Sequence, residues 1–274
     1  MAQTIACANQ KGGVGKTTTV VNLASALATA NSRILVVDLD PQGNATSGFG
    51  VDRGNLATSA YDAVIDGVAF DDVIIETSAP GVDLVPAAIA LAGAEVELAN
   101  ADVRERRVHR LIARLERDYD LILIDCPPSL GLLTINALTA ADAVLIPLQC
   151  EYYALEGLTQ LLATIDLVRD HLNPRLAIEG VVLTMADGRT NLSAEVAAEA
   201  RRYLGHLVFE TVIPRSVRLS EAPSHGLSIG RYAPESRGAR AYADLAAEFL
   251  ARHAPAADPA PTPAVPERSL AVPA

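Results

Sequence analysis

Tryptophan is absent from this 274-residue chain, and aromatic residues of all kinds make up 4% of it. That argues against a platform that binds single strands by stacking bases on exposed rings. Cysteine is scarce as well. Cys7, Cys126 and Cys150 are odd in number, far apart and without C-x-x-C pairing, so they read as buried small hydrophobes in a reducing compartment. A disulfide frame or a cysteine metal site is not expected. No run of eighteen apolar residues is free of charge or turn signals, so no membrane span is expected. The N-terminus lacks a charged n-region and a cleavage site, and reads as an unprocessed cytoplasmic protein. Positive charge is also in deficit: the net charge is −11, which argues against blanket charge-driven binding to nucleic acid but leaves room for a local basic face.

What is present is apolar substance in a regular order. Half of the residues are hydrophobic, enough for one sizeable core. Short apolar runs at Thr4–Ala8, Ile34–Val37, Val82–Val85, Leu121–Ile124, Val144–Leu148, Ile178–Leu183 and Val208–Ile213 read as strands. Between and after them, helical spacing covers Thr17–Ala30, Val103–Arg117, Ala154–Val168, Leu192–Tyr203 and Ala239–Ala251. The alternation predicts an α/β fold, a parallel central sheet flanked by helices on both faces, whose ligand lies at the carboxyl ends of the strands. The stretch 253–274 is rich in Pro and Ala and reads as a disordered tail, leaving one domain over 1–252.

The strongest chemical signal follows the first strand and opens the first helix: Gln10-Lys11-Gly12-Gly13-Val14-Gly15-Lys16-Thr17-Thr18. Glycines let successive backbone N–H groups converge on an anion, and the helix N-terminus adds positive potential. In such a phosphate-binding loop Lys16 reaches the β- and γ-phosphates and the Thr17 hydroxyl ligates Mg²⁺. The loop departs from the ordinary pattern, however. Gln10 stands where the first glycine is usual, and Lys11 follows it.

With this deviant Walker A form the sequence resembles the partition ATPases of the short chromosomal Soj/ParA type, in a group that also includes MinD cell-division ATPases and the nitrogenase iron protein. The resemblance implies ATP and Mg²⁺ as ligands, with Lys11, Gly12, Gly13, Val14, Gly15, Lys16, Thr17 and Thr18 binding nucleotide and Lys11 reaching a partner's ATP across a dimer. Asp38 and Asp40 follow the second strand, two residues apart. By resemblance Asp40 is the switch I aspartate that positions the attacking water, and Asp38 a second-sphere Mg²⁺ partner. Asp125 ends an apolar strand as a Walker B aspartate does, holding Mg²⁺ through water, and Pro127 and Pro128 stiffen the exit. Lys11, Lys16 and Asp40 are thus the expected catalytic set.

Later segments extend the resemblance, which runs from about residue 3 to 251. Glu151–Gly157 matches a helix-opening segment. The loops Thr184–Thr190 and Val212–Arg218, which hold Met185 and Pro214, are implied to border the adenine. From Arg189 to Arg240 there are eight arginines against five acidic residues, a locally basic span in an acidic chain. By resemblance Arg189 and Arg218, then Arg215, are the expected contacts to DNA, while Arg201 and Arg202 read as surface ion pairs. No base-reading motif is present, and the loop begins too early for a preceding DNA-reading domain. The implied function is an ATP-dependent homodimer that binds double-stranded DNA nonspecifically on the nucleoid and is released when a ParB/Spo0J-type partner stimulates slow hydrolysis. A MinD-like membrane switch is the alternative. It calls for a basic amphipathic terminal helix, and this chain ends in Pro and Ala. A metabolic P-loop enzyme is a third reading, but the cluster-binding branch requires two well-placed cysteines that are not evident here.

Overall fold

A computed structural model describes residues 2–28, 32–151 and 154–253. Among these residues the strands are β1 (Gln3–Cys7), β2 (Ile34–Asp38), β3 (Ile75–Glu76), β4 (Val82–Val85), β5 (Leu121–Asp125), β6 (Ala143–Gln149), β7 (Ala177–Ala186) and β8 (Val208–Pro214). They form one sheet in the order β3-β4-β2-β5-β1-β6-β7-β8. Every pairing is parallel except the two-residue β3, which runs antiparallel to β4. The helices are α1 (Lys16–Leu27), α2 (Asn44–Gly48), α3 (Phe70–Val73), α4 (Leu91–Leu98), α5 (Arg107–Ile112), α6 (Leu132–Ala140), α7 (Ala154–His171), α8 (Asn191–Leu204), α9 (Val217–Glu221), α10 (Ile229–Tyr232) and α11 (Arg237–His253).

The central strands are apolar throughout because both of their faces are covered. On β1, Ile5 and Cys7 join Val20, Leu23 and Leu27 of α1 and Tyr242, Leu245 and Phe249 of α11 in one core. Ala6 points the other way, into a second core with Leu133 of α6 and Leu161 and Ile165 of α7. The apolar stripe of α11 is what seats it, each large buried side chain contributing about 1.5–3 kcal/mol. The same helix seals the edge strand β8. Glu248 accepts from the Glu210 and Thr211 amides at 2.9 Å each, and Arg252 donates to the Val208 carbonyl at 3.2 Å. Arg252 also lies over the Phe209 ring, 3.7 Å from its centroid.

Two expectations require correction. The helix expected over Val103–Arg117 is a short 3₁₀ turn at Arg104–Arg106 followed by α5, which stops at Ile112. Beyond it Asp71 accepts hydrogen bonds from the Glu116 and Arg117 amides, so the backbone turns toward β5 instead of continuing as a helix. Helix α11 runs through His253, one residue into the stretch expected as tail; 254–274 lie outside the described residues. Residues 29–30 of the first expected helix also lie outside them.

β1 lies between β5 and β6, with β2 beyond β5, so the crossovers leave the middle of the sheet in opposite directions. A crevice opens at such a switch point beyond the carboxyl ends of the strands. The loop after β1 sits there.

Candidate nucleotide site

The loop between β1 and α1 is pinned at both shoulders. Asn9 donates to the Pro147 carbonyl of β6 at 2.8 Å and accepts from the Lys11 amide at 3.0 Å. The buried Thr184 hydroxyl of β7 donates to the Val14 carbonyl at 2.8 Å. Between these pins Gly13 and Gly15 take φ of 75° and 93°, a region open to glycine, which turns the intervening amides inward. Lys16 is buried, and its Nζ donates to the loop's own Lys11 carbonyl at 3.4 Å.

Parallel register brings the carboxylates beside the loop. Asp38 ends β2 and pairs directly with Asp125 at the end of β5, which in turn pairs with Cys7 of β1. Asp38 is fully buried, and both of its oxygens are used. One accepts from the Asp40 amide at 3.2 Å, the other from the Thr46 amide and hydroxyl at 2.8 and 2.7 Å. Burial pushes its pKa up to about 6; the Thr46 and Asp40 hydrogen bonds oppose that rise. Asp40 is buried, and its Oδ1 accepts from the Gln42 amide at 2.9 Å.

Asp125 differs from both. It is fully buried and neither oxygen has a hydrogen-bond partner. Burial first, and the neighbouring Asp38 charge second, hold its carboxyl well above the usual range. The Thr17 hydroxyl and the Lys16 ammonium lower it. For Thr17 this is a matter of proximity, since no hydrogen bond between the two closes. An orphaned buried carboxylate facing a hydroxyl is a donor set that suits a divalent cation. Among the described residues no three His, Cys, Asp or Glu side chains form a metal cage of their own. That fits Mg²⁺, which keeps waters and shares substrate phosphates in place of an all-protein cage.

A cavity of about 750 Å³ opens over these groups. Gly12, Gly13, Gly15, Lys16, Thr17, Thr18, Asp40, Met185, Pro214 and Arg215 line it. Val14 is buried behind the wall, as are Asp38 and Asp125. Met185 holds a left-handed φ of 52°, a strain of about 1–2 kcal/mol for a residue with a Cβ. Such strain is commonly kept at ligand sites. Sequence reasoning gave no role to Asn9, and it placed Thr46 and Thr184 in loops that match the family without a role of their own.

Lys11 stands at the rim, 39% exposed and 3.6 Å from Glu151. Arg215 meets the other oxygen of Glu151 at 3.6 Å, and Gln149 donates to that same atom at 2.6 Å. Lys11 and Lys16 are the only lysines in the chain; the other twenty basic residues are arginines. The expected DNA contacts therefore separate. Arg215 shares an anion with the rim of the nucleotide cavity. Arg189, 86% exposed, pairs with Asp187 in the β7–α8 loop at 2.7 Å, and Arg218 on α9 pairs with Glu221 at 3.0 Å. Arg201 and Arg202 form surface pairs with Glu210 and Glu199. The three cysteines are free and buried. Tyr152 and Tyr153 of the expected helix-opening segment lie outside the described residues.

Against known proteins, a family model described as an AAA domain matches residues 2–178. The sporulation initiation inhibitor protein Soj of Bacillus subtilis is 57% identical over 251 residues, covering 92% of this chain and 99% of that protein. This chain belongs to the Soj/ParA family of chromosome-partitioning ATPases. The chromosome partitioning protein ParA of Myxococcus xanthus is 52% identical, over 92% of this chain and 89% of that one. Among solved structures, cobyrinic acid a,c-diamide synthase of Mycobacterium smegmatis, crystallised with an ATP analogue and magnesium, superposes with a TM-score of 0.80 at 40% identity, covering 92% and 96%. The family's P-loop ATPase fold is the fold described above. No helix among the described residues is long and apolar enough to cross a membrane.

Proposed function

We propose that the chain is an ATP-driven DNA-partition switch, cytoplasmic and nucleoid-associated, and that the orphaned Asp125 carboxylate under the loop is the observation that carries this reading. A buried charge without a partner is retained where a ligand supplies one. Thr17 and Asp125, with Asp38 behind them, hold Mg²⁺. The ion's chemistry is to neutralise charge on the β- and γ-phosphates of ATP.

The loop residues Lys11 through Thr18 bind the triphosphate, and Met185 and Pro214 pack on the base. The Lys16 ammonium moves from the Lys11 carbonyl to the phosphates. Asp40 orients the attacking water, while Asp38 fixes the loop that carries Asp40 through Thr46. Catalysis is then chiefly positioning and charge stabilisation. Lys11, freed from Glu151, reaches a second copy's nucleotide, so ATP closes a homodimer. The dimer doubles the weak patches at Arg189, Arg215 and Arg218 and binds duplex DNA nonspecifically, with a steep salt dependence. A ParB-type partner accelerates a slow intrinsic hydrolysis and releases it. The identity to Soj and ParA, higher than to the diamide synthase, supports partition over a metabolic role. Helix α11 buries its apolar stripe on β8 and α1, so that stripe is already occupied and not presented to a membrane.

The test is a mobility shift on nonspecific duplex at low salt, with ATP, ADP or no nucleotide. ATP alone should drive binding, Asp40→Ala should retain it, and Lys16→Ala and Arg218→Ala should lose it. Failure of every nucleotide state to bind DNA would refute the partition reading.

A further inference from the structure

Switch I, the loop from Leu39 to Thr46, is built on a tight turn. The Gln42 amide donates to Asp40 Oδ1 at 2.9 Å, and the Gly43 amide to the Asp40 carbonyl at 2.8 Å. These bonds satisfy the Gln42 and Gly43 donors and leave the Pro41 and Gln42 carbonyls to other partners. Arg53 meets both of them. One terminal nitrogen of its guanidinium donates to the Gln42 carbonyl and the other to the Pro41 carbonyl at 3.0 Å.

The surroundings fit that contact. Gly43 is buried with φ 58°, and a Cβ there would strike Arg53 Nε and come within 2.7 Å of its Cζ. Glycine suits the positive φ of the backbone, and its missing Cβ leaves room for the guanidinium in this position. The nearest acidic residue in sequence, Asp52, does not compete for the charge. It caps the 3₁₀ turn Arg53–Asn55, accepting from the Gly54 amide at 3.0 Å and from Asn55 Nδ2 at 2.6 Å. Among the described residues no carboxylate forms an ion pair with Arg53, and its Nε is buried without a partner. A planar fork that grips two successive carbonyls is a role lysine fills poorly.

We propose that Arg53 is a positioning residue for ATP hydrolysis: it clamps the Pro41–Gln42 peptide groups and so fixes the Asp40 carboxylate at the site of water attack. This rests on the ATPase reading above; Arg53 does not line the nucleotide cavity and acts through the loop that carries Asp40. Misplacing a catalytic group by about 1 Å costs up to about a hundredfold in rate.

The experiment compares wild type, Arg53→Ala and Arg53→Lys by steady-state ATPase, equilibrium binding of a fluorescent ATP analogue with Mg²⁺, and amide hydrogen exchange by mass spectrometry. Arg53→Ala should lower kcat about ten- to hundredfold, while the dissociation constant for the analogue stays within about twofold, since the P-loop contacts remain. Peptides spanning 39–48 should exchange faster and those from β5 should not. Arg53→Lys should recover part of kcat. An unchanged kcat in Arg53→Ala beside an active wild type overturns the proposal, as does unchanged exchange over 39–48. A wild type that hydrolyses no ATP refutes the ATPase reading instead, and the exchange data still judge the clamp by themselves.

Discussion

Replacing Asp125 by asparagine should stabilise the metal-free protein and abolish its stabilisation by Mg²⁺ and ATP. The wild-type carboxylate is fully buried with no partner for either oxygen, beside the buried Asp38. An unpaired neutral amide in its place costs about 1–3 kcal/mol, whereas an unpaired buried carboxylate costs several kcal/mol after relaxation. The difference favours the variant by about 2 kcal/mol, or about 4–8 °C in thermal midpoint at the 2–4 °C per kcal/mol of a domain this size. The sign with pH follows from the direction of the shift. A carboxyl raised in the folded state contributes stability that is full below about 3.9, its unfolded value, and is lost as pH rises through the folded value. Asparagine has no such loss, so the gap should widen as pH rises above about 4. With ligand at a hundred times its dissociation constant, wild type gains about 2.7 kcal/mol and the variant little of it, which reverses the ranking. Thermal melts in EDTA and in Mg²⁺–ATP across pH 4–8 read all of this. A variant less stable than wild type in EDTA at every pH would show that Asp125 is already satisfied without metal, and the reasoning would fail.

Two further substitutions test the frame around the site. Thr46→Val removes a hydroxyl that donates to Asp38 at 2.7 Å and accepts from the Ala87 amide at 2.9 Å, in a fully buried position. Chemical denaturation should show a loss of about 2–4 kcal/mol, and carboxyl NMR should place the Asp38 pKa above its present value of about 6. Gly226→Ala places a Cβ against Gly50 Cα and 3.0 Å from its amide nitrogen, at a φ of 63°. The two backbones meet there without room, so a loss of about 2 kcal/mol or more is expected in urea; a loss under about 0.5 kcal/mol would mean that this contact yields freely.

The parallel α/β fold was legible because β2, β5 and β6 are unbroken apolar runs, a pattern that burial on both faces imposes. The loop was legible because its glycines and Lys16 serve a single local geometry. Helix α6 was missed for a physical reason: Leu132–Ala140 is apolar on nearly all sides and shows no helical stripe. Asp38 and Asp125 could each be named, but their adjacency is a matter of register between strands 87 positions apart, and nothing local encodes it. The same limit applies to Arg215. Its place in the sequence groups it with a basic span, whereas the fold turns it toward Glu151 and the nucleotide rim. The Arg53 clamp is invisible in sequence because the carbonyls it grips have no side-chain identity.

The confinement of lysine to the nucleotide loop has a consequence for chemistry far from it. Guanidinium groups keep their proton throughout the physiological range and are not substrates for amine acylation. Outside that loop the strongly basic side chains are all arginines, so Arg189, Arg218 and the pairs along α8 are fixed in charge. An acetyl group on a side-chain amine of this protein can land only on Lys11 or Lys16. Lys16 is buried and Lys11 stands at the rim, so acylation would fall first on Lys11, the residue proposed to reach a second copy. Such a modification would act on the nucleotide state alone and leave the basic surface as it was.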